Sequence, residues 1–384
     1  MEILGRSGTY VNQLRGYKAF IPADLPPAPA IQIDSEMQTL ISEADRALGR
    51  LDGATDNLPN PDLFIFMYIK KEALHSSQIE GTQGSLSDVL DFEKKVDKPI
   101  VNKGEVGEVL NYISAMNYGM ERLKTLPLCK RLICEIQERL LRDVRGYMLT
   151  PGEFRRTQNW IGPEGCNLND ASFVPPPPEN MMDALTNLEN FIQQQNPTMP
   201  ALIKVGLIHA QFETIHPFLD GNGRVGRLLI TFLLCHEKIL HRPSLYLSAY
   251  FKQYKAEYYQ RLQNIRDKGD WEGWLKFFLN GVQEVALEAS RTSRAIVDLR
   301  ENHRAKIMEE LPAAASSNAM RLLEQLYMRP VINVESAEQI LDISYSNANN
   351  TVANLEKLGI LQERTGKKRN REYSYKSYLD LFKA

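Results

Sequence analysis

The chain has 384 residues, 43% hydrophobic and 24% charged, with 46 Lys and Arg against 48 Asp and Glu. That composition supplies a sizeable core and excludes a disordered chain, and the length predicts two or three domains. The near-neutral charge excludes global attraction to nucleic acid or anionic lipid and leaves only a local basic patch.

No run approaches the roughly 18 apolar residues of a membrane span, and the start, residues 1–6, lacks a signal-peptide core. Cys129, Cys134, Cys166 and Cys235 form no Cys-x-x-Cys, which argues against a disulfide framework or structural zinc. The expectation is a soluble, cytoplasmic protein.

Residues 1–34 are polar and punctuated by Pro22, Pro26, Pro27 and Pro29, which predicts an extended arm. Residues 35–125 read as a helical region. Met37, Leu40, Ile41, Ala44 and Leu48 recur at helical spacing. A second helix covers about 61–80 and stops at Gly81. Further helices are predicted at about 104–124 and 128–143.

The region 126–300 reads as a second, mainly helical region. Its pattern breaks between about 150 and 180, where Pro151-Gly152 opens a turn and Gly162-Pro163-Glu164-Gly165 forms a loop. Asn159-Trp160-Ile161 and Ser172-Phe173-Val174 are short β-compatible runs, which predict a small hairpin or flap. Helical patterning resumes at about 180–195, 200–214, 223–237, 248–267 and 271–300. Pro312-Ala-Ala-Ala-Ser-Ser reads as a linker into a last domain, 312–384. The fold class expected is mainly α.

The informative run is His216-Pro217-Phe218-Leu219-Asp220-Gly221-Asn222-Gly223-Arg224-Val225-Gly226-Arg227. Its glycines satisfy G-x-G-x-x-G, but a dinucleotide fingerprint needs a preceding strand and an acid about 20 residues on. Residues 201–214 read as helix and 240–250 carry no acid. A different reading uses every polar residue. Gly221-Asn222-Gly223 aims backbone N–H groups at an anion at a helix start. Arg224 and Arg227 share one helix face and suit a polyphosphate. Asp220 suits Mg²⁺, and His216 suits a general base. These are the parts of nucleotidyl or phosphoryl transfer.

The run resembles the signature of the Fic family of protein nucleotidyltransferases, His-x-Phe-x-(Asp/Glu)-Gly-Asn-Gly-Arg-x-x-Arg, with every fixed position filled. The resemblance extends over roughly 30–300. It implies a helical core and transfer of AMP from ATP, with Mg²⁺, to a protein hydroxyl, releasing pyrophosphate. His216 would be the base, Phe218 an anchor for the loop, and Asp220 the metal ligand. The residues from Gly221 through Val225 and Gly226 to Arg227 would hold the nucleotide. Ser172, Phe173 and Val174 resemble the flap that holds the target peptide, offering a backbone edge. Tyr258 and Tyr259 resemble the tyrosines near adenine and ribose, and Gln211 is a further nucleotide candidate.

Ser76 and Glu80 lie four apart on one helix face, with Gly81 following. They resemble the inhibitory motif (Ser/Thr)-x-x-x-Glu-(Gly/Asn). By that resemblance Glu80 pairs with Arg227 where the γ-phosphate belongs, and Ser76 helps to hold Asn222.

Residues from about 318 resemble a winged helix, with helices at 320–328, 336–341 and 346–358. Its wing carries Arg364, Lys367, Lys368, Arg369 and Arg371. The basic tip suits DNA phosphates. The neutral run Ser346-Asn347-Ala348-Asn349-Asn350 suits docking or homodimerisation instead. Two other functions remain open at this level: a nucleotide-sensing, DNA-binding regulator, and removal of AMP from a modified protein.

Overall fold

The computed structural model describes residues 5–14, 16–56, 58, 61–93, 104–163, 165–194 and 198–382. Residues 1–4 of the chain start and Glu164 of the predicted loop lie outside them. The chain groups into two compact units. Unit 1 is Met1–Asp52, Glu72–Gly84 and Asn102–Leu287; unit 2 is Gly53–Lys71, Ser85–Val101 and Glu288–Ala384.

The architecture is mainly α, as the patterning predicts. Two strands open the chain, β1 (Gly8–Asn12) and β2 (Lys18–Pro22), paired antiparallel with Tyr10 opposite Phe20. This corrects the plain extended arm: Tyr, Val, Phe and Ile on both sides of a short turn outweigh the prolines, which begin only at the end of β2. Helices follow as α1 (Ser35–Asp56), α2 (Pro61–Ile79), α3 (Leu86–Glu93), α4 (Gly104–Arg122) and α5 (Lys130–Leu140). Next come α6 (Pro178–Gln193), α7 (Ala201–Ile215), α8 (Asn222–His236), α9 (Ser248–Gln253), α10 (Lys255–Lys268) and α11 (Trp271–Glu310).

In unit 1, α7 and α8 form the centre. Every α7 residue from Leu202 to Ile215 is buried, including the polar Lys204, His209, Gln211, Glu213 and Thr214. Helices α4, α5, α6 and α10 pack around this pair. The single helix expected at 248–267 is broken at Tyr254, whose φ of −107° and ψ of 38° separate α9 from α10. Helix α3 was not anticipated.

The linker expected at Pro312 is helical instead. Pro312 (φ −58°, ψ 150°) caps α12 (Ala313–Leu326), because its fixed φ suits a helix start and the alanines after it are strong helix formers. Then come β3 (Val331–Asn333), α13 (Val334–Leu341), α14 (Tyr345–Lys357), β4 (Gln362–Glu363), β5 (Glu372–Ser374) and α15 (Lys376–Asp380). In unit 2 the strands form an antiparallel sheet of order β3-β5-β4, and α12, α13 and α14 pack on one another. Asn333 caps α13, accepting from Ser336 N–H at 2.7 Å. Among the described residues no helix is long and apolar enough to cross a membrane.

Candidate active site

The site is the loop joining α7 to α8. His216 ends α7 in the left-handed region (φ 49°, ψ 61°), and Pro217 cannot continue the helix. Gly221 (φ 82°) opens α8, a conformation that favours glycine. Between them Phe218 is fully buried, its ring 5.2 Å from that of Phe154. Asn222 closes the loop: its Oδ1 accepts from Phe218 N–H and its Nδ2 donates to Phe218 O, both at 2.8 Å. This corrects one expectation: the Asn222 amide is held by Phe218, and Ser76 bonds Arg227 instead.

Two buried arginines fix the end of α7, where carbonyls lack helical partners. Arg155 donates to His216 O at 2.9 Å, Pro176 O at 2.6 Å and Ile215 O at 3.4 Å. Arg266, on α10, donates to Glu213 O and Thr214 Oγ1, each at 3.3 Å, and lies 3.7 Å over the Phe173 ring. Burial lowers both guanidinium pKa values to about 10, so both remain charged at neutral pH.

His216 is consequently a neutral imidazole. Burial, then the charges of Arg266 and Arg155, push its pKa down to about 3, against the ordinary 6.5 that its sequence implies. Its Nδ1 is buried with no hydrogen-bond partner among the described residues. One turn earlier, burial pushes the Glu213 carboxyl up to about 7. Glu213 Oε1 lies against Gly226, where a Cβ would stand 2.1 Å away.

Arg224 and Arg227 leave the first turns of α8. Arg224 is fully buried; its Nη1 donates to Glu108 Oε2 at 3.3 Å, and its Nη2 lies 3.6 Å from Asp220 Oδ1. Its Nε and Nη2 have no hydrogen-bond partner among the described residues. Asp220 Oδ1 accepts from Gly221 N–H at 2.6 Å, and its side chain is 25% exposed. Arg227 donates through Nε to Ser76 Oγ and through Nη2 to Ser76 O, both at 2.9 Å. Its Nη2 also reaches Glu80 Oε1 at 2.7 Å. Burial raises the Glu80 carboxyl, but the Arg227 guanidinium outweighs it and holds the pKa below the ordinary value.

Glu72 and Ser76 lie on one stripe of α2, and Glu80 continues that spacing just past its last residue, Ile79. Glu72 is buried, accepting from Tyr112 OH at 2.9 Å and Ser248 N–H at 3.0 Å, which fixes the helix end. Lys255 Nζ donates to Ile79 O at 2.6 Å, supplying the cation a helix C-terminus favours.

The remaining sequence candidates divide. Val225 is a core side chain, and Gly226 packs against Glu213 while its carbonyl accepts from His209 Nδ1 at 2.9 Å. Gln211 is buried and donates to Ala23 O at 2.8 Å, so its amide serves the N-terminal arm. Tyr258 is core, its hydroxyl bonded to His209 Nε2 at 2.9 Å; Tyr259 is 44% exposed. The flap is one antiparallel bridge, Ile161 with Phe173, and Phe173 and Val174 are buried. Phe173 exchanges both backbone bonds with Ile161, and Val174 O accepts from Phe20 N–H at 2.9 Å. The edge expected there for a substrate strand is therefore taken at these groups.

Sequence reasoning missed Arg155, Arg266, Glu108 and Asn159. Asn159 Nδ2 donates to Phe218 O at 2.8 Å. None has a local signal, because each acts across a long separation.

Two family descriptions match the chain: Fic/DOC family N-terminal over residues 38–121, and Fic/DOC family over residues 127–234. Together they span half of the chain, which belongs to the Fic/DOC family. Over 218 residues it is 30% identical to a "Protein adenylyltransferase Fic" of Drosophila grimshawi, covering 54% of this chain and 41% of that protein. Over 209 residues it is 30% identical to the protein of that name in Culex quinquefasciatus, covering 53% and 38%. The chain thus spans about two fifths of the length of these curated relatives. Among solved structures, a Fic family protein from Desulfovibrio desulfuricans G20 superposes with a TM-score of 0.57 at 18% identity, covering 90% of this chain and 97% of that one. A Fic domain containing signaling protein from Bacteroides thetaiotaomicron gives 0.51 at 17% identity, covering 67% and 95%.

Proposed function

We propose that this protein is a self-inhibited adenylyltransferase that moves AMP from ATP to a Ser, Thr or Tyr hydroxyl of a target protein or of its own chain. The observation that carries this reading is Arg224, fully buried at the start of α8 with Nε and Nη2 unbonded among the described residues. A buried guanidinium beside the free N–H groups of a helix start fits a polyanion. The names of the curated relatives support the same activity.

His216, neutral and at the loop's edge, accepts the proton of the target hydroxyl. The hydroxyl oxygen then bonds to the α-phosphorus, and the bond to the bridging oxygen of pyrophosphate breaks. The amides of Gly223 and Arg224 and both arginines hold the phosphates. Asp220, a hard and partly exposed carboxylate, would hold Mg²⁺, which would offset triphosphate charge. Glu80 opposes nucleotide binding by occupying Arg227. Removal of AMP, with Glu80 aligning a water, uses the same residues.

The test is incubation with α-labelled ATP and Mg²⁺, using the parent, Glu80→Gly and His216→Ala. Label on protein from Glu80→Gly, absent from His216→Ala, supports the reading; no label from either folded variant sinks it.

A second reading attaches to unit 2, whose helix-strand-helix-helix-strand-strand order fits a winged helix. Lys367, Lys368, Arg369 and Arg371 are exposed between β4 and β5, which favours DNA phosphates. Arg364 leaves that set, because it holds Asp91 at 2.7 and 3.1 Å. DNA retention that weakens steeply with salt supports this reading, and no retention at low salt leaves docking or dimerisation.

A further inference from the structure

Glu108 is a buried carboxylate on α4, outside both sequence motifs. Its Oε2 accepts from the Thr82 hydroxyl at 3.1 Å and from Arg224 Nη1 at 3.3 Å. Its Oε1 lies 3.9 Å from Arg145 Nε. One turn earlier on α4, Glu105 Oε2 accepts from Gln83 N–H at 2.8 Å. The two acids thus hold the two residues that follow Glu80-Gly81.

Arg224 needs a counter-charge before any phosphate arrives, because a guanidinium buried without an anion is strongly disfavoured. Asp220 is the more distant carboxylate, at 3.6 Å, and it is partly exposed. Glu108 is nearer, buried, and fixed by Thr82. Glu80 differs: its side chain is 30% exposed, it ends a helix, and a glycine with φ of 104° follows it. One carboxylate is built to stay and the other to leave.

We propose that Glu108 is a positioning residue that aims Arg224 at the triphosphate and, through Thr82, ties that aim to the segment carrying Glu80. The inference rests on the AMP-transfer reading. It assigns opposite roles to the two carboxylates: loss of Glu80 raises transfer, and loss of Glu108 lowers it. It also makes Thr82 part of the brake, because the Thr82–Glu108 bond holds Glu80's segment in place.

The test uses the full chain and measures kcat and KM for ATP. Rates are divided by ATP-binding sites titrated calorimetrically, so that misfolded protein does not count. In a Glu80→Gly background, Glu108→Ala should lower kcat on the order of 10²-fold, as a misplaced group does, with a smaller change in KM. Glu108→Gln, which keeps the size but not the charge, should lower it less and carries the test if Glu108→Ala does not fold.

Thr82→Val in the parent should raise transfer severalfold, whereas in the Glu80→Gly background it should give no gain and only a smaller loss than Glu108→Ala, because Glu108 then lacks its Thr82 partner; simple structural damage produces no gain in the parent. Unchanged kcat in both Glu108 variants, or a Thr82→Val parent no faster than before, overturns the inference while the activity stands. No transfer by Glu80→Gly itself overturns the activity, and the role of Glu108 falls with it.

Discussion

Glu80 and Arg227 stand 147 positions apart and meet at 2.7 Å. Arg227 gives its other bonds to Ser76, so three acceptors, two from the last turn of α2 and one from Glu80 just beyond it, hold one guanidinium. An arginine so engaged cannot also serve a phosphate at full strength.

Glu80→Gly should therefore raise AMP incorporation, although it removes a charge from the site. Arg227→Ala should not reproduce the gain, because the phosphate loses its partner too. The double variant should be as slow as Arg227→Ala alone, since the proposed brake would act through that side chain. Initial rates for the four proteins at equal Mg²⁺ and ATP decide it.

His216→Ala should retain ATP binding and lose about 10²- to 10⁴-fold in transfer. Because burial holds the imidazole at about 3, kcat/KM should show no acid limb near 6.5. Protonation would remove the base, so the loss belongs below pH 5. A limb at 6.5 that vanishes in His216→Ala would mean a solvated imidazole.

Arg155→Lys keeps the charge but not the fork that reaches four carbonyls at once, those of Thr157, Pro176, Ile215 and His216. It should cost on the order of 2 kcal/mol in stability. Transfer should fall by about tenfold or more as the His216 loop loosens. Urea unfolding with kinetics at matched folded fraction separates the two effects.

Glu213 gives stability a pH dependence. Its carboxyl titrates near 7 when folded and near 4.5 when unfolded. Between those values the folded chain keeps a proton that the unfolded chain has lost, so stability falls as pH rises through this window. The loss is complete above pH 7 and amounts to about 3 kcal/mol. Glu213→Gln should flatten the decline between pH 5 and pH 8, measured by denaturant midpoints. An equally steep decline in that variant would assign it to other groups.

Much of the candidate site was legible because it is contiguous. The residues from His216 to Arg227 lie in one loop and one helix start, and Pro217 and Gly221 mark the turns. Ser76 and Glu80 were legible as a helical stripe with a glycine after it. Arg155, Arg266 and Glu108 were not, because a lone charged residue in sequence looks like solvated surface until its distant carbonyl or guanidinium is known. Asn222 adds a role that the motif does not spell out: its amide pairs with both backbone groups of Phe218 and so shapes the loop. The alanines after Pro312 were read as a linker where their propensity favoured helix.

Gly223 carries a last consequence. A Cβ there would stand 2.4 Å from Glu80 Oε1 and 3.0 Å from Arg227 Nη1. The space above the start of α8 therefore admits one tenant at a time: the carboxylate, an incoming anion, or a methyl group. Under the proposed activity, an anion entering there should first displace Glu80, and its apparent affinity should be its intrinsic affinity scaled by the fraction of molecules already vacated. Anything that alters that fraction, even far from the loop, should then retune nucleotide affinity without touching a single nucleotide contact.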